Sequence, residues 1–107
     1  MPDTEFRVDV EPDRSRVRVI PVGELDLATV DQVADQVHEL REAGFVHVVL
    51  DLRGLEFMDS TGLRLVLGLD REAREAGHEL TLIPGPPAVQ HVFELAGVCE
   101  RLAFAAA

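Results

Sequence analysis

The sequence has 107 residues, of which 47% are apolar and 28% charged, a balance typical of one globular domain spanning residues 1–107 and not of a disordered chain. Its formal net charge of −10 argues against a nucleic-acid-binding protein, because phosphate binding needs clustered basic residues, and suits a basic protein partner. All ten basic residues are arginine, which excludes lysine-dependent chemistry such as Schiff-base formation or a P-loop.

The sequence predicts a soluble, cytoplasmic protein with no membrane contact. Residues 1–6 do not combine a basic region with an apolar stretch, so no secretory signal is expected. The best apolar run, Leu63–Leu69, contains Arg64 and is far shorter than the roughly 20 residues of a membrane helix. The single cysteine, Cys99, cannot form an internal disulfide and is expected to pack as an apolar side chain in a reducing compartment.

The first two predicted elements are β-strands joined as a hairpin. Apolar and charged residues alternate along residues 6–10 and again along residues 16–19, the period of a strand with one buried face. Pro12–Ser15, between them, has the composition of a turn. Pro21 lacks an amide hydrogen, so we expect it at an unpaired edge or a bulge.

A helix is predicted after the second strand. Its apolar residues recur at helical spacing opposite polar and acidic ones, and they are Val30, Val33, Val37 and Leu40. Thr29 and Gln32 form a capping-box sequence at its start, and Gly44 is the expected stop. We expect this helix to cover one face of a sheet.

The segment Phe45–Leu50 is predicted to be a buried central strand, because it is an apolar, β-branched run too short for a helix. His47 within it is an isolated imidazole with no Cys or His at metal-ligand spacing, so we interpret it as structural and expect no metal site. Residues 51–59 are predicted to be a loop.

Four further elements complete the predicted domain. The first is a helix from about Ser60 to Glu75, stopped by Gly77, and the second is a strand over Leu80–Ile83. A third helix follows, which ends at Gly97 and whose apolar residues are Val89, Val92, Phe93 and Leu95. The last element is a short strand at Leu102–Phe104. Alternating strands and helices imply an α/β fold with a partly parallel sheet and right-handed crossovers.

The turn before the second helix, Phe57–Leu63, is dense in small polar residues. Asp59 or Ser60 could serve simply as a helix cap that accepts free amide hydrogens. Capping needs only one such residue, however, and this turn has three of them together with a glycine. Gly62 in the first helical turn costs about 1 kcal/mol relative to alanine, so we expect it to allow the close approach of a partner. The local sequence alone leaves both interpretations open.

Ser60 is suited to reversible phosphorylation. We expect it on an exposed turn, where the amides and the partial positive charge of a helix N-terminus can accommodate an anion. A phosphate adds about −1.5 to −2 charge next to Asp59, so the surface would change sharply while the fold survives. The sequence therefore predicts a switch at an interface.

Two motifs occur at a characteristic spacing, Gly23–Asp26 after the second strand and Asp59–Leu63 between a strand and a helix. Together with the helix after Thr29 and the apolar strand that ends in Asp51 and Leu52, they make the whole chain resemble the STAS domains, the sulphate transporter and anti-sigma-factor antagonist family. The resemblance implies a mixed sheet of four to five strands with about three helices packed on it.

The resemblance also implies a function, that of a stand-alone anti-sigma-factor antagonist controlling sigma-factor-dependent transcription. An anti-sigma factor that is itself a serine kinase would phosphorylate Ser60, with Thr61 as a less favoured acceptor. The unmodified protein would bind the anti-sigma factor, phosphorylation would release it, and a serine phosphatase would reset it. Arg64 departs from the pattern, because many members carry a small residue there. The positions that the resemblance assigns to the partner-binding surface are Glu24, Asp26, Asp59, Thr61, Gly62 and Leu63.

Other functions are less well supported by the residues. An enzyme with Ser60 as nucleophile would need a Gly-x-Ser-x-Gly elbow and a base, and none of the four histidines has a recognisable context; we expect neither a catalytic residue nor a cofactor. A two-component receiver domain would need a lysine beside its phosphorylated aspartate, and because the sequence contains no lysine, this alternative fails. A STAS regulatory subunit of a membrane transporter, or of a stress-sensing scaffold, remains the alternative, and the gene neighbourhood would discriminate it from the free antagonist.

Overall fold

Five strands and three α-helices alternate along residues 5–105, which the computed structural model describes. The strands are β1 (Arg7–Asp13), β2 (Arg16–Leu25), β3 (His47–Asp51), β4 (Leu55–Met58) and β5 (Glu79–Ile83). The helices are α1 (Val30–Glu42), α2 (Ser60–Ala76) and α3 (Pro87–Ala96), and short 3-10 turns occupy Leu52–Gly54 and Cys99–Arg101. The predicted α/β class is confirmed.

The strand β2 organises a mixed five-stranded sheet. It pairs antiparallel with β1 over residues 16–22. On its other side it pairs in parallel with β3 over residues 16–19 and with β4 over residues 23–25, and β3 pairs in parallel with β5. The order across the sheet is β1-β2-β3-β5, with β4 beside the end of β2. The predicted hairpin and the predicted central strand are both confirmed.

Pro21 lies inside β2, between its two parallel pairings. It is in register with Val8 of β1, whereas on the opposite side residues 20–22 have no register partner. The 3-10 turn packs against this interruption, since a Cβ added to Gly54 would lie 3.0 Å from the carbonyl oxygen of Pro21. Pro21 therefore occupies a gap in the ladder and not a sheet edge, and the gap accommodates its missing amide hydrogen.

One hydrophobic core lies between a single face of the sheet and the three helices. Alternate residues of each strand point into it, as expected for a sheet with one buried face, and they include Val17, Val19, Leu25, Val48, Leu50, Leu80 and Leu82. The buried helical residues are Val33 and Val37 of α1, Val66, Leu69 and Ala73 of α2, and Val89 and Phe93 of α3. The predicted buried face of α1 is confirmed, although Leu40 is only half-buried.

One prediction about the second half of the chain is wrong, and another holds only in part. Residues 51–59 are not a loop, because they contain the 3-10 turn and β4. Leu95 is 76% exposed, since it follows Phe93 by two residues and so faces away from the stripe that α3 buries. The predicted last strand is reduced to a single bridge between Phe104 and Leu82, and Phe104 packs edge-on against Phe93 with ring centroids 5.2 Å apart.

A buried carboxylate closes the end of β3. Asp51 is 3% exposed, and its two oxygens accept hydrogen bonds from Nε and Nη2 of Arg53, at 3.0 and 2.8 Å, and from Nη1 of Arg18, at 3.2 Å. Burial acts to raise the pKa of Asp51, but the hydrogen bonds from Arg53 and the charges of Arg53 and Arg18 outweigh it and lower the pKa. The carboxylate is therefore held charged between two arginines.

Other isolated polar residues have structural surroundings. Nε2 of His47 lies 3.0 Å from Oγ1 of Thr81, which accords with a structural histidine, and Cys99 is half-buried against the core. Within residues 5–105 no three His, Cys, Asp or Glu side chains are grouped so that they could hold a metal ion. None of the helices described there is long and apolar enough to cross a bilayer.

Candidate functional site

The structure brings the two motifs together at one edge of the sheet. Leu25 at the end of β2 is in register with Met58 at the end of β4, and the amide of Asp59 donates to the carbonyl oxygen of Leu25 at 3.4 Å. Because the two strands are parallel, the loop after β2 and the start of α2 leave the sheet side by side. Glu24 and Asp26 thus lie on the element next to Asp59.

Asp59 is the cap of α2. Its Oδ1 accepts hydrogen bonds from the amides of Thr61 and Gly62, at 2.9 and 3.2 Å, while its backbone stays extended, as an N-cap residue requires. Of the two capping residues that the sequence left open, the structure selects Asp59. Because the carboxylate of Asp59 accepts from the amides of the first turn, the hydroxyl of Ser60 is not needed as a cap.

Ser60 is the first residue of α2 and is exposed. Its hydroxyl makes no hydrogen bond to any residue within 5–105. Thr61, the less favoured acceptor, is half-buried. Ser60 therefore offers the accessible hydroxyl of this turn.

Gly62 has an internal reason to lack a side chain. It is buried, and an added Cβ would lie 2.5 Å from Cγ of Met58 and 3.0 Å from the carbonyl oxygen of Leu25. The start of α2 packs so closely on the ends of β2 and β4 that no larger residue fits. The prediction that Gly62 allows a partner to approach is not needed to explain the glycine, and its contact with a partner stays a prediction.

The loop between β2 and α1 is fixed by its own side chains. Oγ1 of Thr29 donates to the carbonyl oxygen of Glu24 at 2.7 Å and accepts from the amide of Asp26 at 3.0 Å. Oδ1 of Asp26 accepts from the amide of Ala28 at 3.0 Å. The predicted capping box of Thr29 and Gln32 is wrong, because the Thr29 hydroxyl turns back toward β2 and caps no helix amide.

Two apolar residues that the sequence analysis did not single out stand exposed at this edge. Leu27, in the loop after β2, is 79% exposed, and Phe57 of β4 is 46% exposed. Phe57 is in register with Glu24, so an apolar side chain and a carboxylate lie side by side on neighbouring strands. Leu63, by contrast, is half-buried and packs on the core. Acidic and apolar residues thus lie exposed or half-exposed at the ends of β2 and β4, where α2 begins. We call Glu24, Asp26, Leu27, Phe57 and Ser60 the docking surface.

The arrangement does not resemble a nucleophile with its base. His38 pairs with Glu72 at 2.8 Å and His47 with Thr81 at 3.0 Å, and no histidine is hydrogen-bonded to Ser60 among the described residues. A serine nucleophile is activated by a base within hydrogen-bond reach. The hydroxyl of Ser60 has no such base among residues 5–105.

Known proteins share this sequence pattern and this fold. The sequence model of the family described as "Mlab, STAS domain" matches residues 6–103. The anti-sigma F factor antagonist of Paenibacillus polymyxa is 32% identical over 94 residues, which cover 87% of this chain and 80% of that protein. The solved structure of the anti-sigma factor antagonist SpoIIAA in its unphosphorylated form is 28% identical, with a TM-score of 0.75 over 95% of this chain and 89% of that one. The Bacillus cell fate determinant SpoIIAA in its phosphorylated form is 27% identical, with a TM-score of 0.69 over 95% and 92%.

Proposed function

The chain belongs to the STAS domain family, and we propose that it acts there as an anti-sigma-factor antagonist. The unmodified protein binds an anti-sigma factor that is a serine kinase, the kinase phosphorylates Ser60, and the phosphate ends the complex. A serine phosphatase then restores the binding form. The protein is thereby a cytoplasmic regulator of sigma-factor-dependent transcription and not an enzyme. Relatives named as antagonists, one of them solved in a phosphorylated form, support this class of partner.

The observation that carries the proposal is the free hydroxyl of Ser60. A kinase needs an acceptor hydroxyl that can reach the γ-phosphate of ATP, and Ser60 is exposed at the first position of α2. Asp59 performs the capping that would otherwise engage a hydroxyl at this place. The turn therefore keeps its structure whether or not the serine is modified.

The docking surface indicates the chemistry of the partner. Glu24 and Asp26 present carboxylates beside the exposed side chains of Leu27 and Phe57. Apolar anchors in the middle of an interface contribute most of its binding energy, and charges at its rim steer the encounter. We therefore expect an apolar pocket with a basic rim on the anti-sigma factor.

The proposed release of the kinase after phosphorylation has an electrostatic cause. In the kinase complex the hydroxyl of Ser60 has to face the γ-phosphate of ATP. After transfer, the phosphate on Ser60 lies against the remaining nucleotide phosphates, and a charge that is desolvated without a partner costs several kcal/mol. The modification therefore weakens the complex and not the fold.

Phosphate transfer tests the proposal. Purified protein incubated with the cognate anti-sigma kinase and ATP should take up one phosphate, and mass spectrometry should place it on Ser60. Ser60→Ala should abolish the uptake, whereas Thr61→Ala, the neighbouring hydroxyl, should retain it. Phosphate that persists on the Ser60→Ala protein would move the site to Thr61. A bound kinase that transfers no phosphate would favour the alternative, a regulatory subunit of a transporter or of a stress-sensing scaffold.

Binding measurements test the docking surface separately. Phe57→Ala and Leu27→Ala should each weaken binding of the kinase at least tenfold, because they remove the apolar anchors. Leu95→Ala is the matched control, since Leu95 is 76% exposed on α3, and it should change the affinity less than about twofold. Equal losses at all three positions would show that Leu27 and Phe57 are not the anchors of the interface.

A further inference from the structure

The start of α2 offers few free donors to a phosphate on Ser60. The amides of Thr61 and Gly62 already donate to Oδ1 of Asp59, and the amide of Leu63 donates to the backbone oxygen of Asp59 at 3.1 Å. The Leu63 bond is the first within the helix, and of the four preceding amides, at 59–62, that of Asp59 donates to the carbonyl oxygen of Leu25. Only the amide of Ser60 has no acceptor among residues 5–105. The helix N-terminus therefore offers the phosphate one free amide together with the partial positive charge of the helix end.

The carboxylates at this edge make an uncompensated phosphate still less favourable. Asp59 precedes Ser60 directly, and Glu24 and Asp26 lie on the neighbouring element. A phosphate carries about −1.5 to −2 charge near neutral pH, and it is repelled by all three carboxylates. A positive group within reach would offset this repulsion.

Arg64 is placed to be that group. It lies four residues after Ser60 on α2, and both residues are exposed. Residues at this spacing are neighbours on one helix face, with Cβ atoms about 5–6 Å apart, and a negative group on the N-terminal side is the favourable orientation. The guanidinium of Arg64 makes no salt bridge to any residue in the described part of the chain. An arginine fork matches two oxygens of a phosphate.

We propose that Arg64 is the phosphate-binding residue for phosphorylated Ser60, its guanidinium pairing one turn back along α2 with the phosphoryl oxygens. The inference rests on the proposed function for the modification of Ser60 and goes beyond it by assigning the group that holds the phosphate. The pairing keeps the modified helix start stable while the phosphate stays at the docking surface, where it opposes the kinase. Arg64 thus stabilises the start of α2 in the phosphorylated protein.

The test uses phosphoserine incorporated at position 60 during translation, so that it needs no kinase. The second ionisation of the phosphate is followed by ³¹P NMR across pH in three proteins: the otherwise unchanged chain, Arg64→Gln, and Arg71→Gln. Arg71 is a matched control, because it is exposed on the same helix seven residues beyond Arg64 and out of reach of Ser60.

A nearby positive charge favours the dianion, so Arg64→Gln should raise the pKa of the phosphate by about 0.3 units or more, while Arg71→Gln should move it by less than about 0.1. Arg64→Lys should recover part of the shift. The melting temperature of the phosphorylated protein should fall with Arg64→Gln, and that of the unmodified protein should stay the same. An unchanged phosphate pKa with Arg64→Gln, or equal shifts from the two glutamine variants, would overturn the inference. A kinase that fails to modify Ser60 would contradict the proposed function and leave this result intact.

Discussion

The turns that begin α1 and α2 lie side by side, yet they use similar residues for opposite purposes. Before α1, the hydroxyl of Thr29 donates to Glu24 and accepts from the amide of Asp26, so it is engaged in holding the loop. Before α2, the carboxylate of Asp59 binds the helix amides, and the hydroxyl of Ser60 has no partner among the described residues. A hydroxyl near a helix start is thus structural in one turn and accessible in the other.

The difference shows that the hydroxyl of a serine at a helix start is accessible when a neighbouring residue accepts the helix amides. Backbone amides at a helix start must be satisfied by some acceptor, and Asp59 serves as that acceptor beside Ser60. The carboxylate therefore does two things, since it fixes the turn and it frees the hydroxyl. Substitutions in the two turns can separate these effects.

The largest effect is expected from Gly62→Ala. The new Cβ would lie 2.5 Å from Cγ of Met58 and 3.0 Å from a backbone oxygen, so the α2 turn must move away from the sheet, at a cost of about 2–3 kcal/mol in the free energy of unfolding. Gly68→Ala on the same helix is the control, because its Cβ would meet nothing closer than 4.0 Å. It should gain about 0.5–1 kcal/mol. Urea denaturation measures both, and similar changes at the two glycines would show that the turn is not tightly packed.

The 3-10 turn after β3, which Asp51 caps, extends the comparison. Oδ1 of Asp51 accepts from the amide of Arg53 at 3.1 Å, much as Asp59 caps α2, but this carboxylate is buried and paired with Arg18 and Arg53. Asp51→Asn should therefore cost about 1–2 kcal/mol at pH 7, measured by urea denaturation.

The loss at Asp51 should depend on pH in a defined direction. Because folding lowers the pKa of Asp51, its contribution to stability is complete above the ordinary pKa of 3.8 and disappears as the pH falls through the value in the folded protein. The free energies of unfolding of the original and Asp51→Asn proteins should therefore converge in acid. A difference that is constant down to pH 2 would contradict a charged carboxylate at this position.

Removal of the α2 cap should have an intermediate effect. Asp59→Ala leaves the amides of Thr61 and Gly62 without their acceptor, and it should lower the free energy of unfolding by about 1 kcal/mol. Asp59→Asn retains a capping oxygen and should recover most of that loss. If both variants are as stable as the original protein in thermal denaturation, Asp59 does not hold the turn.

The smallest effect should come from the two hydroxyls, and it compares the turns directly. Thr29→Val removes the hydrogen bonds to Glu24 and Asp26 and should cost about 0.5–1 kcal/mol. Ser60→Ala removes no hydrogen bond to residues 5–105 and should change stability by less than about 0.5 kcal/mol. Differential scanning calorimetry can resolve the pair, and a larger loss at Ser60 than at Thr29 would reverse our assignment of roles.

Much of the fold follows from the sequence because its elements are long and periodic. Val33 and Val37 repeat at helical spacing and are buried in α1, and the β1–β2 hairpin alternates as a strand should. The four-residue strand β4 escaped prediction because it is irregular. Gly23 is in register with Leu55, and Glu24 with Phe57, so Glu56 is passed over. The bulge breaks the alternation on which strand prediction depends.

The sequence also predicts some residues of the candidate site and misses others. The sequence singled out Ser60 and Asp59 because the turn has three small polar residues where a cap needs only one, and because the Asp59–Leu63 motif resembles that of the STAS domains. It could not identify Leu27 and Phe57, since an apolar residue is noticed only once its exposure is known. Nor could it assign Gly62, whose neighbours come from two strands that the sequence does not place side by side.

The central claim is that phosphate on Ser60 acts on the complex and leaves the fold intact. The most direct test measures, for proteins with serine and with phosphoserine at position 60, both the affinity for the purified anti-sigma kinase and the melting temperature. We predict that the affinity falls at least tenfold, about 1.4 kcal/mol, while the melting temperature shifts by no more than about 2 °C. An unchanged affinity, or a large loss of stability with NMR shifts spread through the core, would contradict the claim.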